Sequence, residues 1–305
     1  MAPRLGLGGG VSADPSNNLF NLLLDNFPTA HAAYSLRKLR RNYTGVCCRI
    51  RRESNDYEAD LHFTGIGEVS LDSTLSNFSS ASSATNLGQF MAAGGYTDAD
   101  SLGSADTARV VTWKDQSGNG RDVTNATEAQ QPLLVSSGTL QTENGKVALD
   151  FYGDMLTHSD GSSYAQPNTY VAVVQSDATT GSDYFIDGDG SVSEERHVIG
   201  HSSNYKKIHA GAWTDSSGDA SDTDQHLWFI VVDGASSLLH IDGGSDVANG
   251  DPGDREMSGL TIGSRHTTGA SSWDGRIQEL IYYRGDQSGS RAEMELDVNS
   301  YYSIY

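Results

Sequence analysis

Val110-Val111-Thr112-Trp113-Lys114-Asp115-Gln116-Ser117-Gly118-Asn119-Gly120-Arg121-Asp122 decides the fold. An apolar, β-branched run ends on a tryptophan and falls into a turn whose glycines supply positive φ. Some sixty residues upstream, Ala33-Tyr34-Ser35-Leu36-Arg37-Lys38-Leu39 leads into Asn42-Tyr43-Thr44-Gly45 and then Arg49-Ile50-Arg51-Arg52-Glu53-Ser54-Asn55-Asp56. Working outward, strand patterns recur at 46–52, 109–113, 146–151, 170–175, 227–232, 238–241, 260–262 and 273–283. The gaps between them are rich in Gly, Ser, Asp, Thr and Asn. With 34 Gly and only 6 Pro in 305 residues, this is an all-β chain of short strands and polar turns.

Helical signals lie at the ends. Asn17 or Asn18 caps an expected short helix at 19–24, which Pro28 stops. A second helix is expected at about 29–41, with Ala32, Leu36 and Leu39 on one face and Arg37, Lys38, Arg40 and Arg41 on others. A short helix is expected near 86–93. The chain closes on a helix from 291 to about 301, where Met294 and Val298 lie four apart. In the 273–283 strand, Ile277, Ile281 and Tyr283 are expected on one face.

The formal charge is −20, which repels phosphate backbones, so no nucleic-acid partner is expected. The basic cluster at 37–41 is expected to meet the chain's own carboxylates. No apolar run has the roughly 18–20 residues of a membrane helix, so no membrane partner is expected either. The start of the chain lacks the apolar segment of a secretory leader. The only two cysteines, Cys47 and Cys48, are adjacent, which excludes a disulfide framework. Strand alternation would put Cys48 with Val46 and Ile50, and Cys47 with Arg49 and Arg51.

The opening stretches resemble the concanavalin A-like sandwich of fungal α-L-arabinofuranosidase B catalytic domains. They also resemble the related domains in structural proteins of tailed bacteriophages. From residue 110 the order is similar to a laminin G-like sandwich: Ser117–Gly120, then Val232-Asp233-Gly234, Ile262-Gly263, and Asp274–Tyr283. The resemblance covers about 31–305 and implies one jelly-roll sandwich, preceded by an attachment arm at 1–30.

For the enzymes, the resemblance implies a nucleophilic glutamate just before a Leu-Gly pair. Laid on Val198-Ile199-Gly200 it falls at Glu195, with Glu194 beside it. The acid/base aspartate, counted from Ile262-Gly263, falls at Thr267, which cannot serve as a carboxylic acid. On that reading the catalytic pair is broken and the chain is not an enzyme. The expectation is a non-catalytic virion protein, first a tail fibre or tail-associated adhesin, alternatively a head fibre or capsid decoration protein. A glycoside hydrolase is the further alternative. Other virion proteins would hold residues 1–30, a host surface glycan would be the ligand, and the chain would form a homo-oligomer, perhaps a trimer.

Other motifs are weak. Asp187-Gly188-Asp189-Gly190-Ser191 opens like a calcium loop, but its sixth and twelfth positions are Val192 and Val198, so a tight turn is expected. Calcium held by Asp187 and Asp189 in another manner stays open; no other cofactor is expected. His197, His201 and His209 read as loop histidines. Sugars stack on aromatic rings, which makes Tyr205, Trp213 and Trp273 the candidate carbohydrate-binding residues, packing of both tryptophans at the core edge being the alternative.

Overall fold

The computed structural model describes residues 22–92, 105–190, 195–265 and 271–305. The remainder of the attachment arm, Thr267 and Glu194 lie outside the described residues. Among the described residues, twenty strands join in one continuous, mainly antiparallel sheet that curls nearly into a barrel. This is the jelly-roll sandwich expected from the sequence.

Its path can be followed by hydrogen-bonded neighbours. Leu238–Ile241 pairs with Gln225–Val232, then Asn168–Ser176, then Asp274–Arg284. The far edge of Asp274–Arg284 is shared by Ala30–Ser35 and Leu149–Tyr152. Leu133–Ser136, Ala108–Trp113 and Val123–Thr124 then turn the corner to Leu156–Tyr164. The second face continues through Met257–Ile262, Ser182–Asp187, Val198–Ser202, Tyr205–His209 and Trp213–Ala220.

Two apolar layers follow from strict alternation. Tyr170, Ala172 and Val174 face the main core with Trp228, Ile230 and Val232. Their neighbours Val171, Val173, Leu227, Phe229 and Val231 face outward and are covered by Met294, Val298 and Tyr302 of the helix Arg291–Tyr302. These strands are therefore buried on both faces, which is why they read as continuous apolar runs.

Three expectations are corrected. Residues 30–35 form a strand rather than a helix, with every residue buried. Ala32 and Tyr34 enter the main core and Ala30 and Ala33 the outer layer, so pairing with Asp274–Arg284 overrides the alanine-rich helical pattern. In Asp274–Arg284, Val173 pairs with Glu279 but Val174 with Ile277, leaving Gln278 as an extra residue. That bulge reverses the parity: Ile277 faces the main core, whereas Ile281 and Tyr283 face the outer layer. Cys47 lies outside its strand, Cys48–Arg52, and is buried in the main core with Cys48, not grouped with the arginines. Both thiols are free.

Arg37 meets the chain's own carboxylates as expected. Its Nε lies 2.8 Å from Glu279 Oε2 and its Nη2 3.0 Å from Asp297 Oδ1. The Ser35 hydroxyl donates to Glu279 at 2.8 Å, so the wholly buried carboxylate is well satisfied.

Candidate functional site

A small cavity of about 10 Å³, room for about one water, lies between the two faces of the curled sheet. Val174, Ser176, His226 and Trp228 line one wall, with Trp273, His201, Lys206, Ser221, Asp222 and Asp224 around them. Backbone geometry fixes the wall. Ser176 pairs with Gly275, whose φ is +144° and whose absent side chain would sit 2.8 Å from the Ser176 Cα. Trp273 is pinned next to it, its backbone N–H donating to Gly263 O at 2.9 Å and its Nε1 to Gln175 O at 3.1 Å. Phe185 stands edge-on to both Trp228 and Trp273, each at 5.2 Å between ring centroids. The floor is thus aromatic and rigid.

The polar wall is not self-satisfied. Trp228 Nε1, His201 Nδ1 and Ser221 Oγ are buried and have no hydrogen-bond partner among the described residues. Buried polar atoms are normally paired, so three such atoms around one cavity mark places for ligand hydroxyls or water.

Titratable groups at the site are driven apart. His201 Nε2 lies 3.0 Å from Ser176 Oγ and 3.5 Å from Asp183 Oδ2. Burial, aided by the charge of Asp274, pushes the Asp183 carboxyl up to about 6. Burial and Lys206 push His201 down to about 4, so it is neutral at pH 7. Across the cavity, burial opposes ionisation of Asp222, but the Asp224 N–H and the His226 ring outweigh it and hold the carboxyl below its usual range. His226 is clasped between two carboxylates, 2.7 Å from Asp222 and 2.6 Å from Asp242. Burial disfavours its charge, yet the two hydrogen-bonded aspartates raise its pKa overall. The result is one carboxyl that can carry a proton near neutrality and one that stays ionised.

The residues singled out in the sequence are scattered. Trp273 lines the cavity and is only 1% exposed. Trp213 and Tyr205 are each 41% exposed, on the outer face of the same sheet. Glu195 lies past the Asp187 end of the Ser182–Asp187 strand, with Oε2 buried and unpartnered, while Asp183 is at the opposite end. The neighbours of the undescribed stretch that contains Thr267 are beside Tyr184: Ser271 O accepts from its N–H at 3.2 Å. Asp187 is paired with Arg196, and Asp189 accepts from Ser258 Oγ at 3.2 Å. Both aspartates thus have protein partners, and no cluster of three or more metal-ligating side chains exists among the described residues. Of the histidines read as loop residues, His201 and His209 lie in strands, whereas His197 precedes the strand Val198–Ser202 and is wholly buried. His197 is hydrogen-bonded to the Tyr170 hydroxyl and to Arg255 O, both at 2.9 Å.

Sequence reasoning missed Asp183, His201, Asp222 and His226. Asp183 and His201 sit in short strands without apolar alternation, Asp222 lies outside any strand, His226 precedes an apolar run, and no spacing motif connects the four.

No protein-family model matches the chain, nor does any curated protein. Solved structures do match. A GH54 α-L-arabinofuranosidase soaked with a cyclic sulfate inhibitor aligns at a TM-score of 0.57 and 16% identity, over 88% of this chain and 62% of that one. An arabinofuranosidase complexed with arabinofuranosyl-α-1,2-xylobiose aligns at 0.51 and 16%, with the same coverage. A GH54 α-L-arabinofuranosidase variant soaked with 4-nitrophenyl α-L-arabinofuranoside aligns at 0.54 and 13%. The chain spans about three-fifths of the length of these enzymes. The likeness establishes a shared fold.

It also corrects the functional expectation. The matched structures are glycoside hydrolases, and nothing among them connects the chain to a phage particle. The reading as a non-catalytic tail fibre, head fibre or decoration protein is withdrawn, and with it the inference that the chain is not an enzyme. That inference rested on counting residues from short Ile-Gly pairs, which put Thr267, outside the described residues, at the acid/base position.

Proposed function

We propose that this is a carbohydrate-active protein, a glycoside hydrolase of arabinofuranosidase-like fold that binds a sugar residue at the mouth of this cavity. Asp183 acts as general acid towards the leaving glycosidic oxygen. Asp222 supplies the ionised carboxylate on the other wall, and His226, fixed by Asp242, orients it. Trp273 and Trp228 form the rigid apolar backing of the cavity behind the ring. Trp228 Nε1, His201 Nδ1 and Ser221 Oγ receive its hydroxyls.

The observation that carries this reading is a pair of carboxylates shifted in opposite directions, Asp222 lining the cavity and Asp183 reaching it through His201 at 3.5 Å. The test is hydrolysis of a panel of 4-nitrophenyl glycosides, beginning with the α-L-arabinofuranoside. Asp183→Asn is expected to lower kcat/KM by about 10²–10⁴-fold, the usual contribution of a general acid. Turnover that survives both Asp183→Asn and Asp222→Asn would remove these residues from catalysis. Absence of turnover across the panel would remove the hydrolase reading.

A further inference from the structure

The outer surface of the same sheet carries a second constellation. Trp213 stacks on Tyr184 with ring centroids 5.4 Å apart and planes inclined by 29°. His209 packs against Trp213 at 4.7 Å. The Arg265 guanidinium lies over both rings, 5.9 Å from the Tyr184 centroid and 5.8 Å from that of Trp213. Gly200 makes room for this: a side chain there would sit 2.9 Å from the Tyr184 ring. Tyr184 is thereby held flat and almost fully buried as a backing for Trp213, two-fifths of which stays exposed.

The electrostatics are unusual for this chain. Against a formal charge of −20, three arginines converge here. Arg265 covers the rings, and the Arg255 stem runs 3.4 Å from where a Gly211 Cβ would be. Arg196 lies near enough that, after burial itself, Arg255, Arg196 and Arg265 push the His209 ring down to about 4. The neighbouring carboxylates are already engaged, Asp187 by Arg196 and Asp215 by Lys207 at 3.4 Å. What remains is an exposed indole beside Arg265, which has no carboxylate partner among the described residues.

We propose that this face binds uronic-acid residues of an acidic polysaccharide, Trp213 stacking on the sugar ring and Arg265 pairing with its carboxylate. The indole supplies the stacking plane. The guanidinium matches a carboxylate with two parallel N–H groups, which an ammonium does not. The surface is separate from the cavity: Asp183 and Tyr184 are adjacent on one strand and therefore point to opposite faces. It would bind an acidic polymer whether or not the cavity cleaves a glycosidic bond.

Affinity electrophoresis of the whole protein in gels containing polygalacturonate, neutral arabinan or dextran sulfate tests this. Retardation is expected at a polygalacturonate concentration at least about tenfold lower than for either other polymer. Trp213→Ala and Arg265→Gln should each weaken it by about tenfold. Arg265→Lys, which keeps the charge, should recover less than half of the loss. Asp183→Asn should be retarded like the unaltered protein, which separates this site from the catalytic proposal. Equal retardation by neutral arabinan, stronger retardation by dextran sulfate, or full retention in Arg265→Gln would overturn it. Circular dichroism confirms that each variant is folded before it is scored.

Discussion

Asp183 and His197 show how one physical cause, burial, acts in opposite directions. Both are forced towards the neutral form, the aspartate by a raised pKa and the histidine by a lowered one. For Asp183 the folded state binds its proton more tightly than the unfolded chain between pH 4 and 6. Its burial therefore costs stability above pH 6, and the cost fades as pH falls. Asp183→Asn is expected to raise the urea midpoint at pH 8 by about 1 kcal/mol equivalent, and to do little at pH 4. Hydrolysis should decline above about pH 6 as the acid loses its proton, and a flat rate from pH 5 to 9 would exclude Asp183 as the donor. For His197, wholly buried and held at about 4, the unfolded chain takes up a proton from pH 6.5 downward while the folded protein does not. Stability is lost across that window. His197→Gln should remove about 2–3 kcal/mol of the difference between pH 7 and pH 4, read by urea titration at each pH. Arg37 and Glu279 obey another rule. Removing one partner leaves a buried charge, so Glu279→Gln is expected to cost about 3–5 kcal/mol.

At the scale of elements, legibility followed burial pattern. The doubly buried strands around 168–176, 225–232 and 274–284 stood out as apolar runs, and the closing helix as a four-residue apolar spacing. Residues 30–35 misled because alanine favours a helix when read locally, and only the neighbouring Asp274–Arg284 strand explains their extension. The strands from 182 to 220 were missed because their outer faces hold Tyr, Lys, His and Asp and their inner faces end in polar cavity groups. Both candidate sites lie on these strands, so the fold was far easier to read than its chemistry. Trp213 and Trp273 could be picked out as single residues. Their separation onto opposite faces follows from strand parity and was invisible without the register. Gly275 is a testable case at this scale. Its φ of +144° and contact with the Gln175 and Ser176 backbone leave no space for a methyl group. Gly275→Ala is expected to lower the melting temperature by about 3 °C, corresponding to about 2 kcal/mol, and to disturb the Trp273 wall. An unchanged near-ultraviolet spectrum and melting point would show that the junction is not as tight as described.

Among the described residues the molecule is organised by one large hydrogen-bonded sheet with a core inside and a helix-covered layer outside. The three central strands belong to both layers, so neither can open alone without exposing the other's support. One cooperative unfolding transition is expected, with calorimetric and van't Hoff enthalpies in agreement. Two resolved transitions would show that the layers separate. Met294→Ala, at the centre of the outer layer, should cost about 2–5 kcal/mol and shift that single transition as a whole.

The bulge between Tyr184 and Ile186 and the bare Cα of Gly200 now take on a further meaning. They act as a register lock. A slip of one residue along that ladder would send Asp183 out into solvent and turn Tyr184 inward, exchanging the two surfaces at a stroke. Evolution could thus alter cleavage or polymer capture by point changes on either side of this partition, but an insertion or deletion within it would scramble both together.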